Sequence, residues 1–172
     1  MRRLLIGIAI AVVVGLLVWR RDGPAGEWSG KTTQGRPMWF RVVERKGKLV
    51  LDRWGIVFEA RCERSGRTLS IGIGSSKPAD VVDGRWEAEI RFFFGWGKVG
   101  GAFVGNKEAR GVFDGVLAAL DGEEMRSVAT EKCTALDLVW TARPGRARAE
   151  GAGDVDLELT IDADGKVTSR IR

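Results

Sequence analysis

From Trp28 onward the chain alternates apolar and polar side chains with a period of two, and no window carries an apolar stripe at helical spacing. Met38, Phe40 and Val42 alternate with Trp39, Arg41 and Val43, while Ile56, Phe58, Ala60 and Cys62 alternate with Val57, Glu59, Arg61 and Glu63. Successive side chains of a pleated strand point to opposite faces, so these segments read as strands with one face buried. The pattern returns in Leu69, Ile71 and Ile73, in Trp86, Ala88, Ile90 and Phe92, and in Leu136, Leu138 and Trp140. Glycine-bearing turns separate the runs: RKGK at 45–48, RSGR at 64–67, VDGR at 82–85, GNKE at 105–108 and LDGEE at 120–124. Turns this frequent predict antiparallel neighbours, with eight or nine strands between residues 27 and 143. The expected fold class is all-β, an antiparallel β-sandwich or a small β-barrel.

Ahead of that domain, Leu4 to Trp19 is unbroken apolar sequence bracketed by Arg2, Arg3, Arg20 and Arg21. A helix apolar on every side belongs in a membrane rather than in water. Its 16 residues fall short of the roughly 20 needed for a full span, so a secretory signal competes with a transmembrane anchor for residues 1–21. Two cations directly behind the run, with only Gly23 and Ala25 as a small-x-small cleavage site, favour the uncleaved anchor. Cys62 and Cys133 are the only cysteines and lack C-x-x-C spacing, so a disulfide is the natural reading. That places the following domain in an oxidising compartment. The expected address is the bacterial inner membrane, single-pass with the C-terminal domain extracytoplasmic, or the periplasm or exterior after signal cleavage.

Composition removes much chemistry. The chain has no histidine and no tyrosine, which excludes Ser-His-Asp and Cys-His catalysis and histidine-ligated zinc. Net charge is +5, but without the four arginines flanking the apolar run 24 basic residues of the original 28 face 23 acidic ones. The domain itself is close to neutral, which argues against nucleic acid as a partner. Gly95 to Gly100 satisfies G-x-G-x-x-G, yet an alternating strand follows where a nucleotide site needs a helix. Gly30-Lys31-Thr32 ends like a P-loop, but Ala25 stands at the first glycine position. Thr160, Asp162, Asp164 and Gly165 mimic the front of a calcium loop whose twelfth position is Ile171 rather than glutamate. No cofactor and no metal are expected.

Two groups of residues remain as functional candidates. Glu87 and Glu89 share one strand face at about 6–7 Å, a spacing at which carboxylate pairs hydrolyse glycosides, although that face is the solvent face and Arg91 adjoins it. The aromatic residues say more. Of the six tryptophans beyond Trp19, Trp86 and Trp140 occupy inward positions. Trp39 and Trp54 fall on the opposite parity or at a strand end, and Trp96 lies in FFFGWG at 92–97. These three are the expected binding surface, suited to sugar stacking, protein docking or a bilayer interface.

After residue 143 the composition changes. Residues 144–153 are rich in Gly, Ala and Arg and read as a linker, and residues 154–172 alternate as a terminal β-hairpin, VDLELTI and VTSRI around DADGK. Two isolated strands are marginal in water, so the hairpin is expected to dock on the domain or on a partner.

The series EWSGKTTQGRPMWFRVV, Cys62, DGRWEAEIRF, KVGGAFVGNKEARGVF, Cys133 and LVWTARP resembles a loose group of small exported bacterial β domains. Members of that group open with W/Y-x-G-x-T-x-Q-G and place a cysteine before a W-x-A-R strand. The resemblance covers about residues 27–143 and implies fold and export, with no catalytic residue to carry over. The tail GDVDLELTIDADGKVTSRIR is similar to the strand-turn-strand of TonB-type C-terminal domains, without their flanking helices and further strand. The function expected is a non-catalytic binding or interaction module of the cell envelope, attached to the membrane through residues 4–19, with a protein or carbohydrate ligand. A carboxylate-based hydrolase of envelope polysaccharide and a structural subunit recruited through the hairpin are the alternatives.

Overall fold

Tight turns set the first strand registers. In the computed structural model, which describes residues 24–92, 95–120, 129–146, 157–164 and 166–171, Lys46 and Gly47 have φ of 52° and 75°, and Asp83 and Gly84 have φ of 50° and 72°. Positive φ at both central residues makes the mirror-image turn that matches the twist of paired strands. Strand β2 (Pro37–Arg45) therefore turns directly into β3 (Lys48–Cys62), and the short β5 (Ala79–Asp80) leads through a similar turn into β6 (Arg85–Phe92). The other strands are β1 (Gly26–Thr32), β4 (Thr68–Ser75), β7 (Gly95–Val104), β8 (Glu108–Leu120), β9 (Ala129–Pro144), β10 (Leu157–Ile161) and β11 (Val167–Ile171).

The described chain is all-β, as the alternation predicts. The strands form one sheet in the order β11-β10-β4-β3-β2-β1-β9-β8-β7-β6, with β5 on β3. Every pairing is antiparallel except that of β10, which lies parallel to β4. Leu159 and Ile161 of β10 are buried in the core, and Ser76 N donates to Ile161 O at 2.8 Å. The terminal hairpin thus extends the domain's own sheet. Among the described residues no helix is long and apolar enough to cross a membrane. The hydrophobic segment 1–21, the turn at 120–124 in large part, and most of the 144–153 linker lie outside the described residues.

The sheet curls until the end of β3 meets the start of β9, pairing Arg61 with Thr134 and Cys62 with Cys133. The two Sγ atoms are 2.04 Å apart, at disulfide distance. On the same side of β3, β2 pairs no farther than the level of Met38 and Ile56, so Glu59 lies between the reach of β2 and that of β9. The Gln34 carboxamide fills this gap: Nε2 donates to Glu59 O at 3.0 Å, and Glu59 N donates to Oε1 at 2.8 Å. Beyond the cysteines, Glu131 of β9 accepts hydrogen bonds from Ser65 N at 2.8 Å, Ser65 Oγ at 2.8 Å and Arg64 N at 3.2 Å, clasping the 63–67 turn.

Inside the curl the aromatic rings of five strands meet. Trp28 stacks on Phe40 at 5.7 Å, Phe40 meets Trp86 and Trp140, and Trp86 stacks on Trp140 at 5.6 Å. Phe103 of β7 packs against Trp28 and Phe40, and Phe58 against Phe113 at 4.6 Å continues the core beside the disulfide. Such pairs add directional attraction to the large apolar area they remove from water.

Of the three register shifts among the described strands, the one between Ala119 and Leu120 lies at the end of β8, and the other two re-aim core side chains. Arg41 lies opposite Arg53 but Val42 lies opposite Leu51, so Asp52 is an extra residue in β3. Leu51 and Trp54, three residues apart, both face the core, and Asp52, only 8% exposed, is held by Arg41 and Arg45. In β9, Phe113 opposes Leu138 while Gly115 opposes Ala135, leaving Leu136 and Asp137 as the bulge. Asp137 has φ of 53° and its N donates to Asp114 Oδ1 at 2.7 Å. Leu136 is consequently 57% exposed, which corrects the expectation that it shares the inward face of Leu138 and Trp140.

Replacing both cysteines by serine is expected to lower stability by about 4 kcal/mol, the chain-entropy value for a loop of this length, measured by denaturant unfolding. The Glu131 carboxyl is held below the ordinary glutamate value, first by the Ser65 N–H and hydroxyl and then by Arg64 N–H and the Arg67 charge. A lowered folded pKa stabilises the fold above the unfolded value and loses that contribution as pH falls through the folded one. Titration of Glu131 followed by NMR is expected to show that lowered midpoint, and Glu131→Gln is expected to flatten the matching part of the stability-against-pH curve.

Candidate functional site

Trp39 is the residue on which the site is built. It sits between the buried Met38 and Phe40 on β2, so the pleat turns it to the outer face, where it is half-buried. Directly across β3 lies Gly55, and the same line continues through Gly74 on β4 to Thr160 on β10. The indole leans over Gly55: a Cβ built there would come within 2.7 Å of Trp39 Cε2 and Nε1. Only glycine admits this approach, since real Cβ atoms do not come so close.

Beyond the indole the face is bare. Gly72 lies opposite Val57, one step along the outer face from Gly74, so no side chain stands above the β4 backbone at either position. The outcome is a trough of about 150 Å³, walled by Trp39 on one side and Thr160 on the other, with Ser75 and Ser76 at one end and Val57 at the other side of its floor. None of its lining residues is charged. Ser75 is buried and its Oγ accepts from Lys77 N at 3.1 Å, which fixes the turn that ends β4.

The three tryptophans expected to form one surface separate. Trp39 takes the outer face. Trp54 is a correction: it continues the inward positions of Ile56 and Phe58, and its ring is fully buried, so it backs the trough from inside the protein. Trp96 is half-buried on the outer face of β7, between Arg91 of β6 and Val116 of β8, in a different hollow with Glu89 and Lys98. Phe93 and Phe94 of its FFFGWG loop lie outside the described residues. The trough's glycine floor escaped the sequence reading. Its signal is SIGIGS at 70–75, where Ile71 and Ile73 occupy successive inward positions and glycine both outward ones.

Glu87 and Glu89 do share the solvent face of β6, and each carries its own cation. Lys98 Nζ lies 3.0 Å from Glu87, and Arg91 Nε donates to Glu89 at 2.6 Å. They line separate hollows, Glu87 with Arg85 and Arg110, Glu89 with Trp96. The G-x-G-x-x-G run is strand β7 itself, and Gly30-Lys31-Thr32 ends strand β1. Asp162 Oδ1 accepts from Asp164 N and Lys166 N at 3.0 and 2.8 Å, which closes the terminal hairpin turn. Among the described residues no three His, Cys, Asp or Glu side chains gather as metal ligands would.

No family model, no curated protein and no solved structure matches the chain.

The two tryptophans of the trough are expected to behave oppositely on truncation. Trp54→Ala removes a fully buried ring and should cost about 3–5 kcal/mol, whereas Trp39→Ala should leave the unfolding midpoint within a few degrees. Thermal unfolding followed by circular dichroism measures both.

Proposed function

We propose that the protein is a membrane-attached, extracytoplasmic binding module of the cell envelope whose ligand is a neutral saccharide chain laid across Trp39. The observation that carries this reading is the uncharged trough: an indole face beside a glycine floor, rimmed by serine and threonine hydroxyls. The flat apolar face of a sugar ring stacks on indole, while its hydroxyls bond to Ser76 and Thr160 and to water. A phosphate, a carboxylate or a polyanion would need cations at the trough, and these stand elsewhere on the surface. The volume admits one ring, below the roughly 300 Å³ at which drug-sized pockets begin, so the remaining sugars of a chain lie along the sheet. The scaffold in this reading is a small barrel with its seam between β3 and β9. The Cys62–Cys133 pair supports maturation in an oxidising compartment, and the apolar run at residues 4–19 supports attachment to the bilayer.

Calorimetric titration of the full chain in nanodiscs with neutral oligosaccharides tests the proposal. Trp39→Ala is expected to weaken binding at least about tenfold, equivalent to about 1.4 kcal/mol. Gly74→Val fills the trough at little cost to the fold, because a Cβ there meets nothing nearer than Trp54 O at 3.4 Å, and it is expected to abolish binding. Equal affinity in the wild type and in both variants would remove the trough as the site.

A further inference from the structure

We propose that the end of the domain where the chain arrives from residues 4–19 is a second binding surface, which rests on an anionic lipid bilayer. This deepens the reading above and rests on its premise that residues 4–19 are embedded. The first described residue, Pro24, is held at this end: Trp28 Nε1 donates to Pro24 O at 2.9 Å, and β1 begins at Gly26 opposite Val42. From Trp19 to Pro24 is five residue steps, which span at most about 18 Å fully extended. The β2–β3 turn reaches past the start of β1 by the three residues Val43 to Arg45, so its tip at Lys46 and Gly47 projects toward the bilayer side.

Three further segments end at the same level. The 82–84 turn lies beside β7, with Phe103 N donating to Gly84 O at 2.9 Å, and the 105–107 loop follows Val104. Gly145 N donates to Glu27 O at 2.9 Å, which brings residues 143–146 alongside. Two of the most exposed large apolar side chains among the described residues stand here, Val82 at 63% and Val104 at 53%. Around them Lys46, Lys48, Lys107, Arg143 and Arg146 are exposed, against Glu44, Asp80 and Asp83. Three more acids nearby already hold cations: Asp52 is bonded to Arg41 and Arg45, Glu27 pairs with Arg53, and Glu108 is bonded to Arg110. Apolar points among surplus cations are the composition of a surface that settles at the headgroup boundary of an anionic membrane. The opposite end, with Trp96, stands roughly 25 Å away by the rise of β7, out of contact with that bilayer.

Hydrogen exchange of the full chain in nanodiscs of zwitterionic lipid, and of the same lipid with added phosphatidylglycerol, tests the proposal. Amides of 44–49, 82–85 and 103–108 are expected to exchange several-fold more slowly in the anionic discs, with 63–67 unchanged. A K46E/K48E/K107E variant, folded by its unfolding midpoint, is expected to lose the difference, as is the wild type at high salt. Incorporation into discs with equal exchange in both lipids, or protection that survives in the variant, overturns this proposal alone. A chain that does not enter the discs overturns it together with the embedded-anchor premise.

Discussion

Strands β3 and β9 are separated by two others in the sheet, yet they meet at Cys62 and Cys133, and this contact brings the apolar faces of both halves of the sheet around one core. Without that seam the end of β3 beyond Ile56 and the start of β9 before Trp140 would lack a neighbour on one side, leaving unpaired N–H and C=O groups and a split core. Closure is shared among covalent, backbone and side-chain links. The cysteine pair and the Glu131 clasp hold one end, and Gln34 completes the hydrogen bonding of Glu59 where neither neighbouring strand reaches. The W-x-G-x-T-x-Q-G series acquires a physical meaning here. Trp28 enters the core, and Gly30 lets β9 approach so closely that a Cβ would lie 1.7 Å from Thr141 O. Thr32 is buried and accepts from Arg36 N at 3.2 Å, and Gln34 caps the gap. The motif is a closure device, which is why a resemblance built on it speaks to fold rather than to activity.

The bulges divide core from surface as firmly as the seam does. One additional residue in β3 turns Leu51 inward without disturbing Trp54, Ile56, Phe58, Ala60 and Cys62 beyond it, all of which stay inside. The cost of an extra carboxylate at the bulge is offset by two arginines reaching it from β2. In β9 the doubled residue carries Leu136 outward and returns Leu138 and Trp140 to the core. A bulge re-aims a side chain by changing parity, and in β3 it sits next to the trough.

Charge follows the same geometry. The trough beside Trp39 is lined by uncharged residues, while the face of β6 and β7 carries a paired ladder of Glu87 with Lys98 and Glu89 with Arg91. Paired charges on an edge strand keep it from joining another sheet. The trough lies on inner strands of the sheet, and its glycines leave a flat backbone surface that a ring can approach.

Period-two alternation and glycine-marked turns sufficed to establish strands, their turns and most of the core, because burial of one pleated face is a local pattern written in neighbouring residues. The same reading paired two cysteines that the fold brings together and separated Trp86 and Trp140 from the surface. It misassigned Leu136, because a bulge depends on which partner strand lies opposite and leaves no mark in the strand's own sequence, and it misassigned Trp54 by placing a strand end where β3 runs on. The trough was hidden for a related reason: Trp39, Gly55, Gly74 and Thr160 come from four strands, and only their registers place them in one row. Local hydrophobic pattern determines element and face. Register, parity shift and seam closure are properties of pairs of distant segments, and the tertiary structure alone decides them.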